Sequence, residues 1–215
     1  MLTKKAAELI RDYSRRSAAA DPAHDFAHCE RVWSNATKIA RKEGGNWAVL
    51  EAAAFLHDIA NLPKNHPESH LSSEKSAKQA AHFIRENSIP FTEEELVLLD
   101  DAILCHSFSR GLTPKTLEGK IFQDADRLDS LGAIGIARTY SVGGVFGAKL
   151  YAMDDPFRKT SRELNDKENT LDHFYRKLLG LASTMLTQSG REMAEERVQF
   201  LRAFIEQLED EVGSA

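Results

Sequence analysis

The sequence predicts an all-α protein, on three observations. Pro and Gly divide the chain into helix-length segments, apolar residues within them recur at helical spacing, and no alternating β-branched run is long enough to build a sheet. The first segment, Leu2 to Ala19, mixes charged and apolar residues at that spacing, which fits an amphipathic helix and not the continuous apolar core of a signal peptide. After the turn DPAHD comes Phe26 to Glu43, with Val32, Ala36, Ile39 and Ala40 on one face, until Gly44-Gly45 stops it. Asn46 caps the next helix, WAVLEAAAFLHDIA, which is apolar almost all round and so should cross the centre of the domain, with Pro63 closing it. The polar loop KNHPESHLS leads to a helix from about Glu74 to Glu86. Thr92 and Glu95 form a capping box for another, reaching about His106. Pro114 and Thr116 announce a single further helix, IFQDADRLDSLGAIGIARTY. Ser141 to Thr170, with Gly143, Gly144, Gly147 and many charges, reads as a long lid-like connection. Two last helices, about Leu171 to Leu186 and Arg191 to Glu211, complete a chain read as one domain over 1–215, with its core at about 23–140.

Composition narrows the function. With 215 residues the chain can bury a core without a disulfide or structural metal, so any metal would serve chemistry. Lys+Arg 28 against Asp+Glu 33 gives a formal charge of -5, and the basic residues are scattered, which disfavours nucleic-acid binding. Cys29 and Cys105 are too few for a disulfide framework, pointing to a reduced, cytoplasmic setting, and Cys29 reads as a small core residue despite its neighbour His28. No apolar run approaches membrane-spanning length. GGVFG lacks the Lys-Ser/Thr ending of a phosphate-binding P-loop, and no G-x-S-x-G elbow offers a serine nucleophile.

Seven of the eight histidines, His24, His28, His57, His66, His70, His82 and His106, precede residue 107. A borderline divalent cation takes imidazole nitrogens with carboxylate oxygens, and His57-Asp58 supplies one of each at the end of the most apolar helix. A carboxylate there needs a cation or several donors; Arg31 is the alternative partner for Asp58. A later carboxylate comes from QDADRLDSLG, where Asp124, Asp126 and Asp129 compete and spacing alone does not choose.

HDFAHCERV, FLHDIA and QDADRLD, in that order, resemble the successive motifs of the HD-domain superfamily of metal-dependent phosphohydrolases. The resemblance implies an HD-domain helical bundle with extra C-terminal helices, and one metal held by His28, His57, Asp58 and Asp126. LPKNHP, CHSFS and LDHFYRKLL extend the likeness, over roughly Ala23 to Leu201, to a bacterial subgroup that includes nucleoside triphosphate pyrophosphohydrolases. Members that hydrolyse guanosine tetraphosphate carry a Glu-Asp pair where this chain has Asn61-Leu62, which argues against that activity.

The expected reaction is hydrolysis of a nucleotide by metal-bound water, a nucleoside triphosphate giving monophosphate and pyrophosphate. Mn²⁺ suits two imidazoles and two carboxylates best, and Mg²⁺, Fe²⁺, Co²⁺ and Ni²⁺ are compatible. Asp58, His66 and His106 are the candidate catalytic groups, and Arg31, Lys64, Arg127 and Lys177 the candidate phosphate contacts. His173 and Lys177 would share a helical face. Phosphomonoesterase or phosphodiesterase activity, a non-catalytic nucleotide sensor, and a two-metal centre recruiting His66, His82 or His106 are the alternatives.

Overall fold

The computed structural model describes residues 1–17, 25–60, 68–107 and 110–213. Among them are α-helices and short 3₁₀ turns, with a single isolated bridge between Lys149 and Asn169 and no strand. The chain divides into two compact units, Met1–Arg127 and Leu128–Ala215.

The first unit is built around α2 (Phe26–Glu43) and α3 (Trp47–Leu56). Asp25 caps α2, its side chain accepting the His28 main-chain N–H at 2.8 Å, so the residue that starts the helix also fixes the turn carrying His28. Gly44 ends α2 at φ +88°, a left-handed conformation open to glycine. Asn46 caps α3 by accepting from Ala48 and Val49, while its own main-chain N–H donates to Glu118 and its amide to Glu95. Every residue of α3 from Val49 to Leu56 is buried, as its all-round apolar sequence requires. α1 (Lys4–Ser17) docks through Ile10 and through Arg11, which bridges Glu30 and Glu51 and lies 4.1 Å over the Phe55 ring.

α4 (Ser72–Glu86) and α5 (Glu93–Cys105) pack on each other, and α5 opens with the Thr92/Glu95 capping box. Ser76 on α4 accepts the main-chain N–H of Ala60, holding the stretch after His57-Asp58. Asp101 accepts from the Lys115 and Thr116 backbone, and so anchors the entry to α6 (Leu117–Leu128) on α5.

In the second unit, α7 (Gly132–Val145) packs on α9 (Gln188–Val212), with α8 (Asp172–Arg176) and a 3₁₀ segment, Leu178–Thr184, between them in sequence. Tyr140, Phe174 and Phe204 join α7, α8 and α9 through ring contacts of 5.9–6.2 Å.

Three sequence expectations change here. The single helix expected over 121–140 is two, because the chain turns after Leu128 and restarts at Gly132 with φ +68°, where a Cβ would press on Arg197 Cγ at 3.3 Å. The expected helix Leu171 to Leu186 also breaks: Lys177 leaves α8 at φ −133°, and the 3₁₀ segment follows. Residues 173 and 177 therefore do not ride on one continuous helical face. Finally, 141–170 begins inside α7 and continues as irregular but extensively bonded backbone. Asp155 accepts from Lys159 N, Thr160 N and Thr160 Oγ1 at 2.6–2.9 Å, and Arg162 grips both oxygens of buried Asp172.

Candidate metal centre

Four elements of the first unit deliver the site. His28 comes from the capped first turn of α2, His57 and Asp58 from the end of α3, His106 from the residue after α5, and Asp126 from the last turn of α6. His57 is fully buried, His28 is 1% exposed, and the Asp58 and Asp126 side chains keep 14% and 21% exposure, a rim open enough to admit a ligand.

The ligand atoms face each other. His28 Nε2 lies 3.2 Å from His57 Nε2 and 3.3 Å from Asp126 Oδ1; His57 Nε2 lies 3.4 Å from Asp58 Oδ2 and 4.0 Å from Asp126 Oδ1. His28, His57 and Asp58 each place one ligand atom within 4.8 Å of the others. The tautomer of His57 follows from its other nitrogen: Nδ1 sits 3.1 Å from the Ala54 carbonyl, an acceptor, so it carries the proton. Nε2 is left facing the Asp58 carboxylate, 3.4 Å from Oδ2. A proton or a cation must lie between them, and a divalent cation satisfies all four groups at once. The donor set fits such an ion, and the Nδ1–H to carbonyl bond is the usual orienting contact of a metal-binding histidine.

His106 repeats the pattern. Its Nδ1 donates to Ile103 O at 2.6 Å, and Nε2 faces Asp58 Oδ1 at 3.6 Å. Although burial disfavours its charged form, hydrogen bonding to Asp58 and the charge of Asp58 and Asp126 raise its pKa. Burial likewise works against ionised Asp58 and Asp126, yet the surrounding histidines hold both well below the ordinary carboxylate range. Phe122 packs edge-on to His57 at 5.4 Å and closes the apolar side.

The structure thus brings His28, His57, Asp58, Asp126 and His106 together. His106, expected near the end of its helix, closes α5 and is buried. Of the competing aspartates, Asp129 lies beyond the end of α6 and pairs with Arg138 at 2.7 Å, and Asp124 is fully buried. Arg31 and Arg127 are half-buried on the two helices that carry His28 and Asp126. Lys177 belongs to the second unit, where neighbouring His173 bonds Asp166 at 2.9 Å. His82 is 77% exposed beside Glu86, and His70 is exposed too, so neither joins this cluster. His24, Lys64 and His66 lie outside the described residues, as do Asn61-Leu62. Sequence reasoning missed Asn35 and Gln123, polar residues buried on the helices that carry His28 and Asp126. Asn35 carried a signal: it lies two turns from His28 on an otherwise apolar face.

Both thiols are buried, and burial pushes Cys29 up to about 12 and Cys105 up to about 11. Neither is a nucleophile at neutral pH. A thiol reagent added to native protein should release no rapid colour and should count two thiols only after denaturation. One fast equivalent would contradict this burial.

An all-α frame brings two imidazoles and two carboxylates together from α2, the end of α3 and α6, a donor set suited to a divalent cation. Residues 25–131 match the HD domain model. Over 211 residues the chain is 32% identical to YpgQ of Bacillus subtilis, an uncharacterized protein, covering 97% of this chain and 94% of that one. The crystal structure of YpgQ in complex with ADP matches with a TM-score of 0.72 over 96% of this chain and 95% of that one. An HD-superfamily hydrolase from Bacillus thuringiensis, 33% identical, matches with a TM-score of 0.73 over 99% and 97% of the two chains. The chain belongs to the HD-domain family and is by class a metal-dependent phosphohydrolase. No helix among the described residues is long and apolar enough to cross a membrane.

Proposed function

We propose that the protein hydrolyses nucleotides at a single divalent cation held by His28, His57, Asp58 and Asp126, and that a nucleoside triphosphate is cleaved to monophosphate and pyrophosphate. The observation that carries this reading is the convergence of the two imidazole Nε2 atoms, 3.2 Å apart, on carboxylate oxygens of Asp58 and Asp126. The ADP complex of YpgQ supports a nucleotide as the ligand class. Mn²⁺ suits the mixed nitrogen and oxygen set, and Mg²⁺, Fe²⁺, Co²⁺ or Ni²⁺ are the alternatives.

When bound, the cation supplies Lewis acidity towards a phosphoryl oxygen and lowers the pKa of a coordinated water. The chain's own groups do the rest. His57 keeps its proton on Nδ1 against Ala54 O and so presents Nε2 as a ligand. His106 is oriented by Ile103 O, and Asp58 raises its pKa against the effect of burial, which suits its Nε2 to pass a proton to a departing phosphate oxygen. Arg127 follows Asp126 directly; burial lowers its pKa, but a guanidinium stays charged at neutral pH and can offset phosphate charge. Arg31, one helical step after His28, offers a second cation on α2. Lys64, His66 and Lys177 complete the set expected from sequence.

The test is a substrate panel run on chelator-stripped protein with and without Mn²⁺: nucleoside triphosphates, diphosphates and an aryl phosphate, with a pyrophosphatase-coupled phosphate assay. Metal-dependent pyrophosphate from triphosphates is expected. Turnover of monoesters alone would overturn the anhydride reading, and tight nucleotide binding without any turnover would favour the sensor.

A further inference from the structure

We propose that the buried side-chain amides of Asn35 and Gln123 are positioning residues that lock α6, and with it Asp126, in register with the histidines of the metal centre. This inference rests on the assignment of Asp126 as a ligand. Asn35, 3% exposed on α2, donates from Nδ2 to the main-chain carbonyl of Ala125 at 3.1 Å. Ala125 immediately precedes Asp126 and lies in the last turn of α6, where carbonyls run out of intrahelical donors. Asn35 and His28 are seven residues apart on α2, so one face of this helix presents both a proposed ligand and the amide that grips the backbone beside another.

Gln123, 1% exposed on α6, makes the complementary tie. Its Nε2 donates to Cys105 O at 2.5 Å and to Leu112 O at 3.1 Å. Cys105 is the last residue of α5 and immediately precedes His106. Each amide therefore meets a helix-terminal carbonyl directly before a site residue, and α6 is held from α2 on one side and α5 on the other. A buried amide without its acceptor is costly, so each bond resists sliding of α6. The carboxylate of Asp126 must reach His28 Nε2, now 3.3 Å away, to share an ion with it, and a small shift of α6 would spoil that approach.

The experiment measures Mn²⁺ affinity by calorimetry, and the visible spectrum of the Co²⁺-substituted protein, in wild type, Asn35→Leu, Gln123→Leu, His57→Ala and Ile39→Ala. Leu replaces each amide with an apolar group of comparable size. Outer contacts of metal ligands are typically worth about 10–100-fold in affinity. Asn35→Leu and Gln123→Leu are expected to weaken Mn²⁺ binding at least tenfold and to alter the Co²⁺ absorption. Ile39→Ala, which only opens a cavity in the same α2 core, should leave both readouts unchanged. If His57→Ala loses binding while both Leu variants keep wild-type affinity and spectrum, the positioning role is overturned and the ligand assignment stands. If His57→Ala binds Mn²⁺ like wild type, the assignment itself fails and the inference with it. Should one Leu variant not fold, the other decides.

Discussion

His57→Ala is expected to lose both metal and activity: Mn²⁺ retention after gel filtration falls to background, and kcat/KM for the best substrate of the wild type drops by about 10³ or more, roughly 4 kcal/mol of transition-state stabilisation. The ring is fully buried, its Nδ1–H is committed to Ala54 O, and its Nε2 lies 3.2 Å from His28 Nε2 and 3.4 Å from Asp58 Oδ2. Removing it opens the shell and leaves Asp58 without its nearest counter-group. The loss of a well-packed imidazole against Phe122 also costs stability, so Asp58→Asn serves as the companion. It conserves volume, removes the charge, and should lower activity comparably with a circular dichroism spectrum like wild type. Activity within tenfold of wild type in both variants would remove this centre from the reaction.

Asp172→Asn should destabilise the second unit strongly. Asp172 has no exposure; it accepts two bonds from Arg162, at 2.8 and 2.5 Å, and one from Asn165 N at 2.8 Å. Breaking a buried ion pair from one side typically costs about 3–5 kcal/mol, and Arg162 keeps its bonds to Asp155 O and Glu163 O, which favours the lower end. The pH dependence has a fixed sign. Burial alone would raise the carboxyl, but Arg162 and Asn165 hold it below its ordinary value, so its folded pKa lies under the unfolded one of about 3.9. Its contribution is complete above about pH 5 and is lost as the pH falls through the folded value. The stability gap between wild type and Asp172→Asn, measured by urea unfolding, should therefore narrow from pH 7 to pH 3. A gap that is constant or widens on acidification would contradict the ion pair.

Much of this was legible in the sequence because local signals governed it. Asn46 and the Thr92/Glu95 pair are capping chemistry, and the sequence of α3 has no polar face to leave outside, so its central burial followed. The ordered motifs singled out His28, His57, Asp58 and Asp126, but helical spacing could not separate Asp126 from Asp124 and Asp129. What separates them is tertiary: α6 stops at Leu128, and Asp129 turns to Arg138. The break at Gly132 was hidden because the residues around it keep a helical pattern on both sides. The burial of His106 had no local signal, since nothing in the sequence reports that α5 ends inside the core. The dense bonding of Asp155, Arg162 and Asp172 was equally invisible, for a charge-rich stretch looks the same whether its charges face water or one another.

The most direct test of the central claim is ³¹P NMR of a nucleoside triphosphate incubated with Mn²⁺-loaded protein and quenched with chelator before acquisition, run in parallel for wild type and His57→Ala. The wild type should yield nucleoside monophosphate and pyrophosphate in equal amounts, and the variant neither. Orthophosphate as the sole new resonance, or the same products at the same rate from His57→Ala, would contradict it.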